Sequence, residues 1–70
     1  MANRVTGIVL SFDGSKGYGF IQADKGQEVF VHYKAIQGDG LKTLSAGERV
    51  EFVLEEGYRG PQAEQVIRLG

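Results

Sequence analysis

The sequence predicts an all-β fold, a small barrel closed from five short strands. Three observations carry that prediction. No segment sustains an apolar period of 3.6 residues, so no long amphipathic helix is written into the chain. Eleven glycines punctuate short runs rich in Val, Ile, Phe and Tyr. Seventy residues shared among five strands are too few for two full packed sheets, whereas a barrel accommodates them and removes their free edges.

The elements follow in order. Residues 5–12, Val-Thr-Gly-Ile-Val-Leu-Ser-Phe, form the first strand, and Asp13-Gly14 after it is a turn signal. Its Ile8-Val9-Leu10 run is continuously apolar and shows no clean alternation. Residues 18–23 form the second strand, Asp24-Lys25-Gly26 turns the chain, and residues 28–32 return as the third, so these two make a hairpin. Residues 33–48 differ in character: Ala35-Ile36 suits one helical turn, and Gly38-Asp39-Gly40 is loop. Residues 49–56 form the fourth strand, Gly57-Tyr58-Arg59-Gly60-Pro61 a loop closed by its proline, and residues 62–69 the fifth strand. The predicted interior is Val9, Ile21, Val29, Val31, Val50, Phe52 and Val66, with Ile36 beside them. Residues 1–70 make one domain, small enough that only about 60 % of the unfolded surface is buried.

Two runs concentrate aromatic residues: Lys16-Gly17-Tyr18-Gly19-Phe20-Ile21 and Val29-Phe30-Val31-His32-Tyr33. Residues two apart on a strand share a face and stand roughly 6.6 Å from each other. In the second run Val29 and Val31 occupy one face, Phe30 and His32 the other. The valines make the better interior, because an inward His32 would need a buried partner. In the first run Lys16 shares its parity with Tyr18 and Phe20 and marks that parity as the wet one. Both strands then expose aromatics beside a cationic or polar group, which is the requirement for stacking nucleobases and meeting their phosphates.

Composition removes several other functions. No cysteine is present, which excludes disulfides, thiol redox chemistry and thiolate metal sites and fits a cytoplasmic protein. The first residues lack the apolar run of a signal peptide, and no stretch reaches the roughly 20 apolar residues of a membrane span. The net charge of −1 argues mildly against a nucleic-acid partner, but five of the nine acids, Glu48, Glu51, Glu55, Glu56 and Glu64, lie in the last third. Lys16, Lys34, Lys42 and Arg59 lie in or beside the aromatic runs and loops, a pattern compatible with a weakly basic face. His32, the only histidine, has no Cys or second His near it for a metal. Ser11, Ser15 and Ser45 lack a nucleophile context, so no catalytic residue, metal ligand or cofactor is assigned. Gly14, Gly17 and Gly19 precede a continuing strand, which disfavours a phosphate loop.

These motifs resemble those of the bacterial cold-shock domain proteins over nearly the whole chain. The Lys16–Ile21 and Val29–Tyr33 runs are similar to that family's two RNP-type motifs, and Ala35-Ile36-Gln37-Gly38-Asp39-Gly40 and Arg59-Gly60-Pro61-Gln62-Ala63 to its loop signatures. RRM domains share a similar consensus but need helices that this chain lacks. The resemblance implies a five-stranded antiparallel OB-type barrel and a non-enzymatic, monomeric protein. Its ligand would be single-stranded RNA or DNA, pyrimidine-rich and especially T or U. Its role would be that of an RNA chaperone, antiterminator or transcriptional regulator in cold adaptation.

Carried over by position, Phe12, Tyr18, Phe20, Phe30, His32 and Tyr33 would stack on bases. Lys16 and Arg59 would serve phosphates or base edges, and Gln62 a base edge. Leu41 falls at a loop position where relatives carry an aromatic. Leu10-Ser11-Phe12 stands where many members carry Lys-Trp-Phe, and the chain has no Trp, so a reduced stacking platform is expected. A reading of another class is a protein-interaction barrel whose aromatic face meets a peptide or protein with nucleic-acid binding weakened or lost.

Overall fold

The computed structural model describes residues 4–38 and 42–69. Five strands form a closed barrel: β1 (Arg4–Asp13), β2 (Tyr18–Ala23), β3 (Glu28–His32), β4 (Arg49–Gly57) and β5 (Gly60–Arg68). Their order around the barrel is β1-β2-β3-β5-β4, with β4 returning to β1. Four contacts are antiparallel. The contact between β3 and β5 is parallel, so the barrel is mixed rather than wholly antiparallel. The reason is connectivity: the chain leaves β3 through a 3₁₀ turn, Tyr33–Ala35, and a crossing segment before β4 and β5 arrive.

Every residue expected in the interior is buried, from Val9 and Ile21 through Phe52 to Val66, and Ile36 joins them. Burying each of the larger side chains contributes about 1.5–3 kcal/mol. The core also takes in Ala23, Ala35, Leu44, Val53 and Ala63. The helical turn lies two residues earlier than Ala35-Ile36 suggested. Ile36 instead caps the barrel, bridging to Val66 in parallel register.

A β-bulge resolves the irregular first strand. Val9 faces Ile21 and Ser11 faces Phe20, so two residues of β1 advance against one of β2. The extra residue, Leu10, reverses the alternation: Val9 points inward before it, Phe12 inward after it, and Ile8, Leu10 and Ser11 lie exposed. A second shift falls in β5 between Glu64 and Ile67, where Gln65 adopts a positive φ of 51°.

The five-residue loop expected at 57–61 is a two-residue turn. Gly57 pairs with Gly60 and Glu56 with Pro61, so the residues that signal the turn belong to its paired flanks and only Tyr58-Arg59 projects. The Gly38-Asp39-Gly40 loop lies partly outside the described residues.

Candidate nucleic-acid interface

The barrel's registers put the aromatic residues in two rows on one outer face. In the first, Ser11 faces Phe20, Phe20 faces Phe30, Phe30 faces Gln62 and Gln62 faces Glu55, across β1, β2, β3, β5 and β4. In the second, Asp13 faces Tyr18 and Tyr18 faces His32. Directly opposed side chains in antiparallel strands stand about 4.5–5.5 Å apart at Cβ, and diagonal neighbours also lie within reach of aromatic side chains. Tyr18 and Phe30 have centroids 5.7 Å apart, tilted by 32°. Phe20 and Phe30 are 5.9 Å apart in an edge-to-face arrangement, and His32 and Tyr33 are 4.5 Å apart.

The intervening residues form the inner row. Phe12, Gly19, Val31, Ala63 and Leu54 follow one another around the barrel. Phe12 therefore departs from the other rings: it is half-buried and packs against the core from the inward parity. Gly19 is small because β1 crosses it closely, and a β-carbon there would lie 2.1 Å from the Ser11 carbonyl oxygen.

The β1–β2 turn fixes the near edge of the plate. The Ser15 N–H and Oγ–H donate to Asp13 Oδ1 at 2.9 Å each, and the Lys16 N–H donates to the same oxygen at 3.2 Å. The Ser15 hydroxyl and then the Lys16 backbone N–H hold the Asp13 carboxyl below its usual range. Gly17 takes a φ of +80°, donates to the Asp13 carbonyl and accepts from the Tyr33 N–H at 2.8 Å. A β-carbon on Gly17 would lie 2.7 Å from the Tyr33 ring, so the glycine lets that ring lie across the turn. The Lys34 N–H donates to His32 Nδ1 at 3.2 Å, which orients the imidazole and starts the 3₁₀ turn.

Cations flank the rings. The Arg59 guanidinium carbon sits 5.2 Å from the Phe30 centroid, a cation–π distance. Two hollows open on this face. One of about 510 Å3 is lined by Ser11, Phe12, Asp13, Gly14, Lys16, Tyr18, Gly19 and Phe20. The other, about 340 Å3, is lined by Phe20, Glu28, Phe30, Arg59 and Pro61.

The structure thus brings together Lys16, Tyr18, Phe20, Phe30, His32, Tyr33, Arg59 and Gln62. Gln62 reaches the plate through the parallel pairing, and its amide donates to Glu64 at 2.7 Å. Leu41 lies outside the described residues. Tyr58 is fully exposed at the turn tip beside Arg59. Sequence reasoning did not assign Asp13 and Glu28 to the site. Asp13 was legible only as a turn residue, and Glu28 only as a strand end. The face is correspondingly not purely basic, for these two carboxylates stand among its cations.

A closed five-stranded barrel carrying a ringed, partly cationic outer face defines a class of small nucleic-acid-binding modules. Residues 5–69 match the 'Cold-shock' DNA-binding domain family, and the chain belongs to that family. It is 55% identical to the cold shock-like protein CspLB of Listeria monocytogenes over 64 residues, 91% of this chain and 97% of that one. It is 51% identical over 70 residues to the cold shock-like protein CspB of Yersinia pestis, spanning 99% of this chain and 100% of that protein. Among solved structures, Drosophila Unr CSD456 superposes with a TM-score of 0.81 at 21% identity, over 99% of this chain and 28% of that one, a likeness of fold. Cold-shock domain proteins bind single-stranded nucleic acid. No helix among the described residues is long and apolar enough to cross a membrane.

Proposed function

We propose that this protein binds single-stranded, pyrimidine-rich RNA or DNA by stacking bases on Tyr18, Phe20, Phe30, His32 and Tyr33. It acts as a non-enzymatic RNA chaperone or transcriptional regulator, including antitermination, in cold or stress adaptation. It works as a single monomeric domain in the cytoplasm. The observation that carries this reading is the adjacent pairing of Tyr18 opposite His32 and Phe20 opposite Phe30 on the outer face, with both Tyr18 and Phe20 in ring contact with Phe30. They form a cluster of rings on which bases can stack, with Arg59 over Phe30.

Lys16 and Arg59 serve phosphates, Gln62 a base edge, and Phe12 forms a wall of the first hollow. Leu41, in the segment before β4, is the remaining candidate contact. A duplex offers no free base face, so the plate discriminates against it.

Titration with oligo-dT, oligo-U, oligo-A and a matched duplex, repeated across a salt series, tests the reading. Single strands should bind, the duplex weakly, and log affinity should fall with log salt at a slope of roughly −1 to −3. Equal affinity for a duplex and its separated strands would sink it. A salt slope near zero would favour a protein partner on the same face.

A further inference from the structure

The hollow between the β1–β2 turn and the rings has a chemistry unlike the rest of the plate. Tyr18 and Phe20 supply its aromatic side, Lys16 a cation, and Asp13 a carboxylate. Asp13 stands opposite Tyr18 in the ladder and therefore shares the outer face with that ring. Its two oxygens are not equivalent. Oδ1 accepts from the Ser15 N–H, the Ser15 Oγ–H and the Lys16 N–H, and this holds the turn together. Among the described residues no hydrogen bond reaches Oδ2. The hollow thus combines a stacking surface with one open oxygen that can only accept. Cytosine and uracil share O2 and differ along the N3–C4 edge: cytosine carries an N3 acceptor and a C4 amino donor, uracil an N3–H donor and a C4 carbonyl acceptor. A carboxylate oxygen set against the C4 substituent, rather than against N3, bonds the amino group and repels the carbonyl.

We infer that this hollow is a nucleobase subsite in which Asp13 selects a base presenting an exocyclic amino group, cytosine among the pyrimidines, over uracil or thymine. The inference rests on the single-strand reading of the plate and assigns a preference to one position of the bound strand. The turn makes the point testable with little disturbance. Asp13→Asn keeps Oδ1 as the acceptor for Ser15 and Lys16 and replaces the open oxygen with an NH2 donor. The variant should therefore favour uracil where the parent favours cytosine. Removing a negative charge will also raise its affinity for every oligonucleotide, but the cytosine-to-uracil ratio cancels that common gain.

The experiment titrates U heptamers in which one cytosine is walked through each position. In the parent protein one position should gain about fivefold over the all-U heptamer, near the lower end of a base-specific contact. In Asp13→Asn, which should melt close to the parent, the gain should vanish or reverse. An oligomer with N4,N4-dimethylcytosine at that position carries no amino hydrogen, and it should lose the gain on the unaltered protein. Normal binding of the all-U heptamer with no gain at any position overturns the inference and leaves the single-strand reading standing. A gain that survives both the dimethyl base and Asp13→Asn also overturns it. Failure of every heptamer to bind overturns the single-strand reading, and the inference with it.

Discussion

The barrel has two outer faces built on the same alternation, and they differ in what they leave open. On one, Phe20, Phe30, Tyr18 and His32 meet in register, and Lys16 and Arg59 make no ion pair among the described residues. On the other, formed by the start of β1, the start of β4 and the end of β5, Ile8 faces Arg49, Thr6 faces Glu51 and Glu51 faces Ile67. There Arg4 pairs with Glu51 at 3.3 Å, Arg68 with Glu48 at 3.7 Å, and the Thr6 hydroxyl donates to Asp24. Exposure does not distinguish the two. Ile8 and Leu69 are 40% and 48% exposed, whereas Phe20 is 36% exposed. What distinguishes them is that one face groups rings against one another beside unpaired cations, while the other scatters aliphatic side chains among charges that largely satisfy each other. Scattered exposed aliphatics are ordinary, but contiguous rings mark an interaction surface.

The largest effect that tests this contrast separates the core from both faces. Phe52 is fully buried. Phe52→Ala should cost about 3–5 kcal/mol of folding stability, read from a denaturant or thermal melt. Phe30→Ala, from the half-buried outer row, should cost far less stability and instead weaken single-strand binding by about 1–3 kcal/mol. Ile8→Ala on the far face should leave binding unchanged. A Phe30→Ala protein that unfolds like Phe52→Ala, yet binds normally per folded molecule, would return Phe30 to the core and erase the distinction between the faces.

The next effect sharpens the contrast by enlarging the plate. Ser11 is exposed and directly opposite Phe20, in the row that continues to Phe30 and Gln62. Ser11→Trp should therefore add a ring beside an existing one and strengthen binding by about the 1–3 kcal/mol of one base stack. The chain has no Trp, so the new indole would report its own contact by fluorescence quenching. Leu10→Lys, at the bulge, should add a smaller gain that fades at high salt. An indole that folds into place without improving affinity would show that the plate ends at Phe20.

Most of this fold was legible because its signals are local. Alternation in Val29-Phe30-Val31-His32 separates valines from rings, and the structure agrees residue by residue. Glycine and aspartate located the turns. Three features were not legible, each for a physical reason. A bulge is a property of two strands, so Ile8-Val9-Leu10 alone could not show that Leu10 is the surplus residue. The parallel β3–β5 pairing joins residues about thirty apart, and nothing local encodes it. Phe12 shares its residue type with the plate but not its parity, since the same bulge turns it inward. In the site, the ring pairs followed from alternation. The roles of Asp13 and Glu28 depend on what faces them across the ladder.

A smaller effect concerns the unpaired cations. Lys16→Ala and Arg59→Ala should each reduce the steepness of the salt dependence by about 0.7, the share of one phosphate contact with a single strand. Arg59→Ala should also lose the contact over Phe30 and so weaken binding more at high salt than Lys16→Ala does. Arg4→Ala, whose guanidinium is paired with Glu51 on the other face, should leave the slope unchanged. A change of slope on removing Arg4 would mean that the ligand wraps both faces.

The smallest effect lies at the edge of the plate and depends on pH. Asp13 holds the β1–β2 turn by accepting from Ser15 and Lys16, and its folded-state pKa is lowered from 3.8, first by the Ser15 hydroxyl and then by the Lys16 backbone N–H. A depressed folded-state value means that the ionised carboxylate prefers the native state. Its contribution is fully present above the unfolded-state value and is lost as pH falls through the folded-state one. The carboxylate is fully exposed, so solvent screens the effect and its size is modest. Melting temperatures of the parent and of Asp13→Asn, compared from pH 7 down to about pH 2.5, isolate the contribution of the ionised carboxylate, because the amide keeps the acceptor but cannot ionise. The parent's advantage should be flat through neutral pH and shrink below about pH 4, where the unfolded carboxyl begins to take up its proton. No advantage of the parent at any pH would mean that the turn is held by the backbone bond from Gly17 to the Asp13 carbonyl rather than by the side chain. The edge of the plate would then stand without the carboxylate.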